Sequence, residues 1–440
     1  MRQLRGLWVG ASLLLVLAGC SNKNSITNVK GAYSPLITGL AIDHEPAVRG
    51  IPNHLTVEVT NVDGLPITYH WSAASGTMTD TTAVTSTWTA PDTIGTYDVT
   101  VSIQAQDGDN HYFKSMTFHV YVDNEYERWT RSEAIQFDPA PINGGGILFA
   151  EFEDNATGAS AVYRVDTPGG GASQLTSGFF SAASPTPEAN LAHFGFAGKV
   201  HASDAGPSIW MLPWAGGDTT NAAVIAARNP GQTYLGGSRF AHSGSRILYS
   251  SDTLSVPFPK FSYRDAENFN SPPIGLIQAG ALTINGYPNP AWGPDVNADG
   301  FPDSVVAREF QFFGINAFQQ STGLWKFPTN VASASALPFL ADTAAAEPDW
   351  SADGQYIVFA KKNDISGDRD IWIINAGSSN PADEVRITSG PADDSHPRFS
   401  EDGSKIYFVS NRADRYGLNG IFDTERRGTN IWSVSRFDEP

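Results

Sequence analysis

The segment EPDWSADGQYIVF (residues 347–359) returns as HPRFSEDGSKIYF at residues 396–408 without a gap, about fifty residues further on. Each copy encodes one hairpin. Proline and an aromatic open an extended run, Ser-x-Asp-Gly supplies a turn in which glycine tolerates positive φ, and YIVF or KIYF alternates as the returning strand. DIWII (370–374) and NIWSV (430–434) add a third strand, and VRIT (385–388) adds a fourth to the earlier copy. A four-stranded antiparallel unit repeated at this period cannot bury both of its faces alone, so the copies must pack against one another around an axis.

Six starts align on the first hairpin: Asp138-Pro139, Ser184-Pro185, Gly237-Ser238, Asn289-Pro290, Glu347-Pro348 and His396-Pro397. The second copy (SPTPEANLAHFGFAGK, 184–199) and the third (RFAHSGSRILYS, 239–250) align without a gap, and the first (DPAPINGGGILFA, 138–150) needs one deletion. Units end on a phrase such as QLT (174–176) or RIT (386–388), yet the sixth stops at residues 432–437 without one. ERWT (127–130), ahead of the first unit, supplies the missing phrase, so this N-terminal strand is predicted to complete the sixth unit and hide an open edge. The PDWSADG and PRFSEDG motifs, with DIWII and NIWSV downstream, resemble the WD-type repeats of TolB-like six-bladed β-propellers. That resemblance implies one rigid six-bladed ring over residues 127–440.

In such a ring the residue ahead of each proline lies near one mouth of the central channel, a frequent ligand site. Asp138, Ser184, Asn289, Glu347 and His396, with Asp393 and Asp394 nearby, would form a polar, largely acidic ring there. Solvated polar residues at strand starts explain the same pattern equally well. His396 beside Asp393 and Asp394 is a candidate metal or acid–base pair, although a lone histidine in a turn is more often neither.

Residues 35–123 carry dense strand signals at 37–42, 55–61, 67–73, 85–90, 96–106 and 113–122, enough for one sandwich. Trp71 in ITYHWSA and Gly95-x-Tyr97 before DVTVSI sit where a core tryptophan and a tyrosine corner would, and the phrases HWSA and WTAPDTIGTYDVTV resemble PKD and bacterial immunoglobulin-like domains. Without a cysteine pair, packing around Trp71 and Trp88 must supply the stability. By resemblance the module is a spacer more often than a binder.

Ahead of it, Arg2 and Arg5 precede an apolar run at 7–17 too short for a comfortable membrane span. Leu17-Ala18-Gly19-Cys20 then resembles the bacterial lipobox, and Cys20 is the only cysteine in 440 residues. The resemblance implies cleavage before Cys20 (signal peptide 1–19) and a multiply acylated anchor to the membrane. Ser21, which is not aspartate, favours the outer membrane where the cell has one. Residues 20–34 read as a polar tether. Removing residues 1–19 takes away Arg2 and Arg5 and no acid, moving the net charge from −18 to −20. Nucleic acid is a poor partner for that field.

DVNADGFPD (295–303) spaces oxygen donors as a tight cation loop does, with Asp295, Asn297, Asp299 and Asp303 offering side chains and Phe301 a carbonyl. It resembles the calcium loops of dockerin and thrombospondin-type repeats, which implies a structural calcium. The bidentate glutamate usual at position twelve is replaced by Val306. An acidic turn with an insertion reads the same way. Nucleophilic catalysis lacks a G-x-S-x-G elbow, and neither H-E-x-x-H nor C-x-x-C occurs. The expectation is therefore an all-β envelope lipoprotein, an immunoglobulin-like β-sandwich followed by a six-bladed β-propeller, that binds a protein or glycan. A polysaccharide-active lyase or hydrolase using the channel mouth is the alternative.

Overall fold

The computed structural model describes residues 35–435 apart from 44–46, 62–63, 94, 231, 233–234, 243–245, 254–255, 266–273, 276–284, 300, 314–317, 330–336, 364–366, 390–391 and 413–427. Cys20, the apolar run before it and the tether lie outside the described residues, as does 436–440. Among the described residues no helix is long and apolar enough to cross a membrane. The chain is all-β, with a single three-residue 3₁₀ turn, Pro381–Asp383, among the described elements.

Two four-stranded sheets come first. One runs Leu36–Ile42, Pro52–Thr60, Thr85–Thr89, Thr77–Thr79; the other runs Ala47–Val48, Asn110–Asp123, Gly95–Asp107, Ile67–Ala73. Their inward faces share one core built on Trp71 and Trp88 with Leu55, Val57, Val99 and Val101. Both indoles are buried and still satisfied, Trp71 Nε1 donating to Ala83 O (2.8 Å) and Trp88 Nε1 to Ser75 O (2.9 Å). Tyr97 donates its hydroxyl to Thr93 O (3.0 Å), the upstream backbone bond expected of a tyrosine corner. Sequence reading missed Ala47–Val48 and Thr77–Thr79, which are too short to show a period of two.

Six further sheets follow in chain order, at 136–174, 181–226, 235–275, 285–340, 345–386 and 394–435. In the fourth the first strand is split: Asn285–Gly286 and Ala291–Trp292 both pair with Ser304–Phe313. The first strand of each sheet packs on the sheet before it, and Gln136–Pro141 of the first packs on all three long strands of the sixth, so first and last are neighbours.

The repeated motif has a physical explanation in its turn. Ser351 Oγ contacts Asp353 Oδ1 (2.6 Å) and accepts from Tyr356 N (3.0 Å), while Gly354 takes φ 74°. Ser400, Asp402, Lys405 and Gly403 repeat this, with Ser400 Oγ to Asp402 Oδ1 at 2.6 Å and Gly403 at φ 68°. Serine and aspartate thereby bind the tight turn's own backbone, and glycine takes the left-handed residue.

The last sheet is closed from the N-terminal side. Tyr126–Arg128 pairs antiparallel with the strand Asn430–Ser435, Arg128 opposite Trp432 and Tyr126 opposite Val434. Immediately after it, Trp129 N donates to Ile431 O (2.9 Å). Thr130 Oγ1 accepts from Ile431 N (2.9 Å), as Thr176 does from Val162 N and Thr388 from Ile371 N, each also at 2.9 Å. The ERWT phrase thus makes in the sixth sheet the same bond that QLT makes in the first and RIT in the fifth.

Candidate functional site

The residue opening each unit has one backbone conformation throughout. Asp138, Ser184, Asn289, Glu347 and His396 all have φ between 49° and 54°, and Gly237 has φ 66°. In five of the six first strands the pairing register shifts around this residue, which makes it the extra residue of a β-bulge. Left-handed backbone costs a non-glycine residue roughly 1–2 kcal/mol, and five of these precede proline, which biases a residue towards extended conformations. Bulges re-aim side chains, and here the same turn is made at the same place in every sheet.

Those side chains knit together. Asp138 Oδ2 accepts from Ser184 N (3.0 Å) and Ser184 Oγ (2.9 Å). His396 Nε2 lies 3.4 Å from Asp138 Oδ1 and 3.6 Å from Glu347 Oε1. Glu347 Oε2 accepts from His396 N (2.7 Å), and its Oε1 faces Arg369 Nη1 (3.3 Å). Arg369 in turn grips Asp393 through Nε (3.0 Å) and Nη2 (2.9 Å). Gly237 abuts Asn289 so closely that a Cβ on it would lie 3.0 Å from Asn289 Oδ1. The result is a continuous polar rim, Ser184–Asp138–His396–Glu347–Arg369–Asp393, that runs across four of the six sheets.

Two expectations are corrected here. Asp394 is fully buried and paired with Arg412 (2.8 Å), whose guanidinium stacks 3.6 Å over Tyr126. It therefore does not join the rim. His396 meets Asp138 and Glu347 rather than Asp393 and Asp394, because its left-handed turn points it towards the neighbouring sheets while Arg369 takes Asp393. Among the described residues no group of three His, Cys, Asp or Glu side chains is arranged to hold a metal ion.

The loop at 295–303 is organised by its own backbone. Asp303 Oδ2 accepts from Val296 N (2.8 Å) and Asn297 N (3.3 Å), while Asp295 Oδ1 (3.2 Å) and Asn297 Oδ1 (2.9 Å) both face Asp299 N. Asp299 Oδ1 accepts from Phe301 N (2.9 Å). Asn297 Nδ2 also donates to Asp303 Oδ1 (3.1 Å), so these side chains bind one another and the loop's own amides.

Deeper between the first strands lies a cavity of about 80 Å³, lined from all six sheets. Five of its six charged residues, all but Glu188, occupy equivalent places that sequence reading passed over. Two residues beyond each left-handed position stand Ala140, Thr186, Arg239, Ala291, Asp349 and Arg398; three further on stand His242 and Glu401. Thr186 Oγ1 accepts from Phe240 N (2.7 Å) and Asp349 Oδ2 from Phe399 N (3.0 Å), so these two tie neighbouring sheets together. His242 Nδ1 meets Glu401 Oε2 (3.1 Å), joining the third sheet to the sixth. Burial pushes the Asp349 carboxyl up to about 6, against the pull of Arg239 and His242. Burial also opposes charge on His242, but Glu401 and Asp349 outweigh it and hold the imidazole above its ordinary range. The signal was available in the alignment column itself: four of its six members are polar or charged where the plain expectation for an inner strand is apolar.

No protein-family model matches the chain, and no curated protein matches it. Among solved structures it is similar to TolB from Acinetobacter baumannii, at 14% identity over 84% of this chain and 80% of that one, with a TM-score of 0.43. It is also similar to a putative TolB from Agrobacterium tumefaciens (14% identity, 73% and 94% covered, TM-score 0.30). A third similar structure is the β-propeller domain of the Trilobed protease from Pyrococcus furiosus (10% identity, 63% and 79% covered, TM-score 0.39). Likeness at this level carries no activity or partner across, and the functional reading rests on this chain's own geometry.

Proposed function

We propose that the chain is an exported, lipid-anchored envelope protein whose six C-terminal sheets form a six-bladed propeller that binds a protein or glycan at its channel mouth. In this reading Cys20 carries the lipid, residues 20–34 are the tether, 35–123 form an immunoglobulin-like spacer, and 127–440 form the ring. In the same reading, calcium binding at 295–303 would draw the side-chain oxygens of Asp295, Asn297, Asp299 and Asp303 and the Phe301 carbonyl away from the loop's own amides and into one structural shell. The observation that supports the binding role is the rim: five non-glycine residues held at φ near 50°, several of them joined by hydrogen bonds and ion pairs. Strained backbone of this kind persists where surrounding structure over-determines it and clusters at ligand clamps. A rim fixed in advance loses little side-chain freedom on binding.

The test uses His396→Asn and Glu347→Asn, since asparagine tolerates the left-handed backbone while removing the imidazole or shortening and neutralising the carboxylate. Wild-type protein is expected to retain a stable partner from envelope extracts, and each variant, melting like wild type, is expected to lose it. Equal recovery by wild type and both variants would refute the mouth as the binding face.

A further inference from the structure

We propose that the cavity beneath the rim is a binding site for a carboxylate group, received by the guanidinium of Arg398. This site is distinct from the rim and does not depend on what docks there. Arg398 is 5% exposed and lines the cavity. Its Nη1 donates to Pro397 O, the carbonyl of the preceding residue (2.5 Å), and its Nε has no hydrogen-bond partner. Among the described residues no carboxylate forms an ion pair with it, although the chain is strongly acidic. A buried guanidinium left without an anion is costly, and proteins pair such groups or bind something that pairs them.

The carboxylates around the cavity are engaged with other groups. Asp349 is under the attraction of Arg239, His242 meets Glu401, and Glu188 meets His193 at 3.0 Å. Arg398 is left with no carboxylate against it, so its guanidinium can take up one negative charge in the cavity. Asp349 and Glu401 on the same walls would repel a second, which disfavours a phosphate dianion. The planar fork of an arginine matches a planar carboxylate in both shape and charge. Phe240, Phe399 and Trp292 supply apolar wall for the carbon that carries it, and about 80 Å³ limits the guest to a small group. A free monocarboxylate and the C-terminal end of a peptide present the same chemistry.

Saturation-transfer NMR with sodium acetate, on the folded protein in chloride buffer, tests the assignment. Acetate methyl protons are expected to receive saturation from wild type, and Arg398→Met is expected to weaken the apparent affinity by about tenfold or more. Arg398→Lys, which keeps the charge and loses the fork, should fall between them. Arg398→Met should melt no lower than wild type, because it removes an unpaired buried charge; if it fails to fold, the lysine variant carries the comparison. A tri-glycine free acid that displaces acetate where its C-terminal amide does not identifies a chain end as the source, and displacement by neither identifies a free small acid. No transfer from wild type, or equal transfer with Arg398→Met, overturns the assignment.

Discussion

Trp129 is where the junction between first and last sheets can be weighed. Its ring is buried in a cluster with Ile147, Phe149 and Val165 of the first sheet and Tyr407, Val409 and Ile431 of the sixth. It packs 5.3 Å from the Tyr407 ring and donates through Nε1 to Ser433 Oγ (3.0 Å). Trp129→Ala leaves the backbone bond to Ile431 O in place and leaves Ser433 Oγ with its other partner, Glu127 Oε2 (3.3 Å). The loss is therefore mainly packing and cavity, about 3–5 kcal/mol for a buried tryptophan cut back to alanine. With an unfolding entropy near 2.1 cal/mol/K per residue over about 310 residues, that lowers the melting midpoint by roughly 5–8 °C. Calorimetry should record this drop, while Leu337→Ala, at a position 56% exposed, should move the midpoint by about 1 °C or less. If Trp129→Ala melts as Leu337→Ala does, the contact between first and last sheets contributes little and the closure argument fails.

Stability should rise on mild acidification. Burial pushes the carboxyls of Asp123, Asp349 and Asp370 up to about 6 from 3.8. Between those values the folded chain holds more protons than the unfolded one, so stability increases as pH falls through 6 towards 4. Melting at pH 5 should exceed melting at pH 7.5, and Asp349→Asn, which keeps the acceptor for Phe399 N, should flatten the slope; an unchanged slope would show that the buried carboxyl is not its source. For the loop at 295–303, calorimetric titration with calcium should give heat with wild type and none with Asp299→Ala, and identical heats would end the calcium assignment.

Much of the architecture was legible because it is written in adjacent residues. Ser-x-Asp-Gly makes its own turn, alternation with a period of two marks each strand, and the ERWT phrase ahead of the first unit shows which strand the last sheet lacks. Four of the rim residues, Asp138, Ser184, Glu347 and His396, were legible too, as the place before a proline, whereas Arg369 carried no such signal. Their left-handed backbone was not, since proline argues for extended conformations at that place, and only the bulge shared by five first strands imposes it.

Tertiary structure decided which charges meet. His242 and Glu401 are 159 residues apart in the chain, yet the side chains touch because the sheets that carry them face a common cavity. Asp393 and Asp394 are neighbours in sequence, but Asp393, just ahead of the strand Asp394–Phe399, is held by Arg369 on the rim, while Asp394, the first residue of that strand, is buried against Arg412. Arg398 looks in sequence like any arginine before an aromatic. Its want of an anion arises from the company that five other strands bring to the cavity, and no local pattern records that.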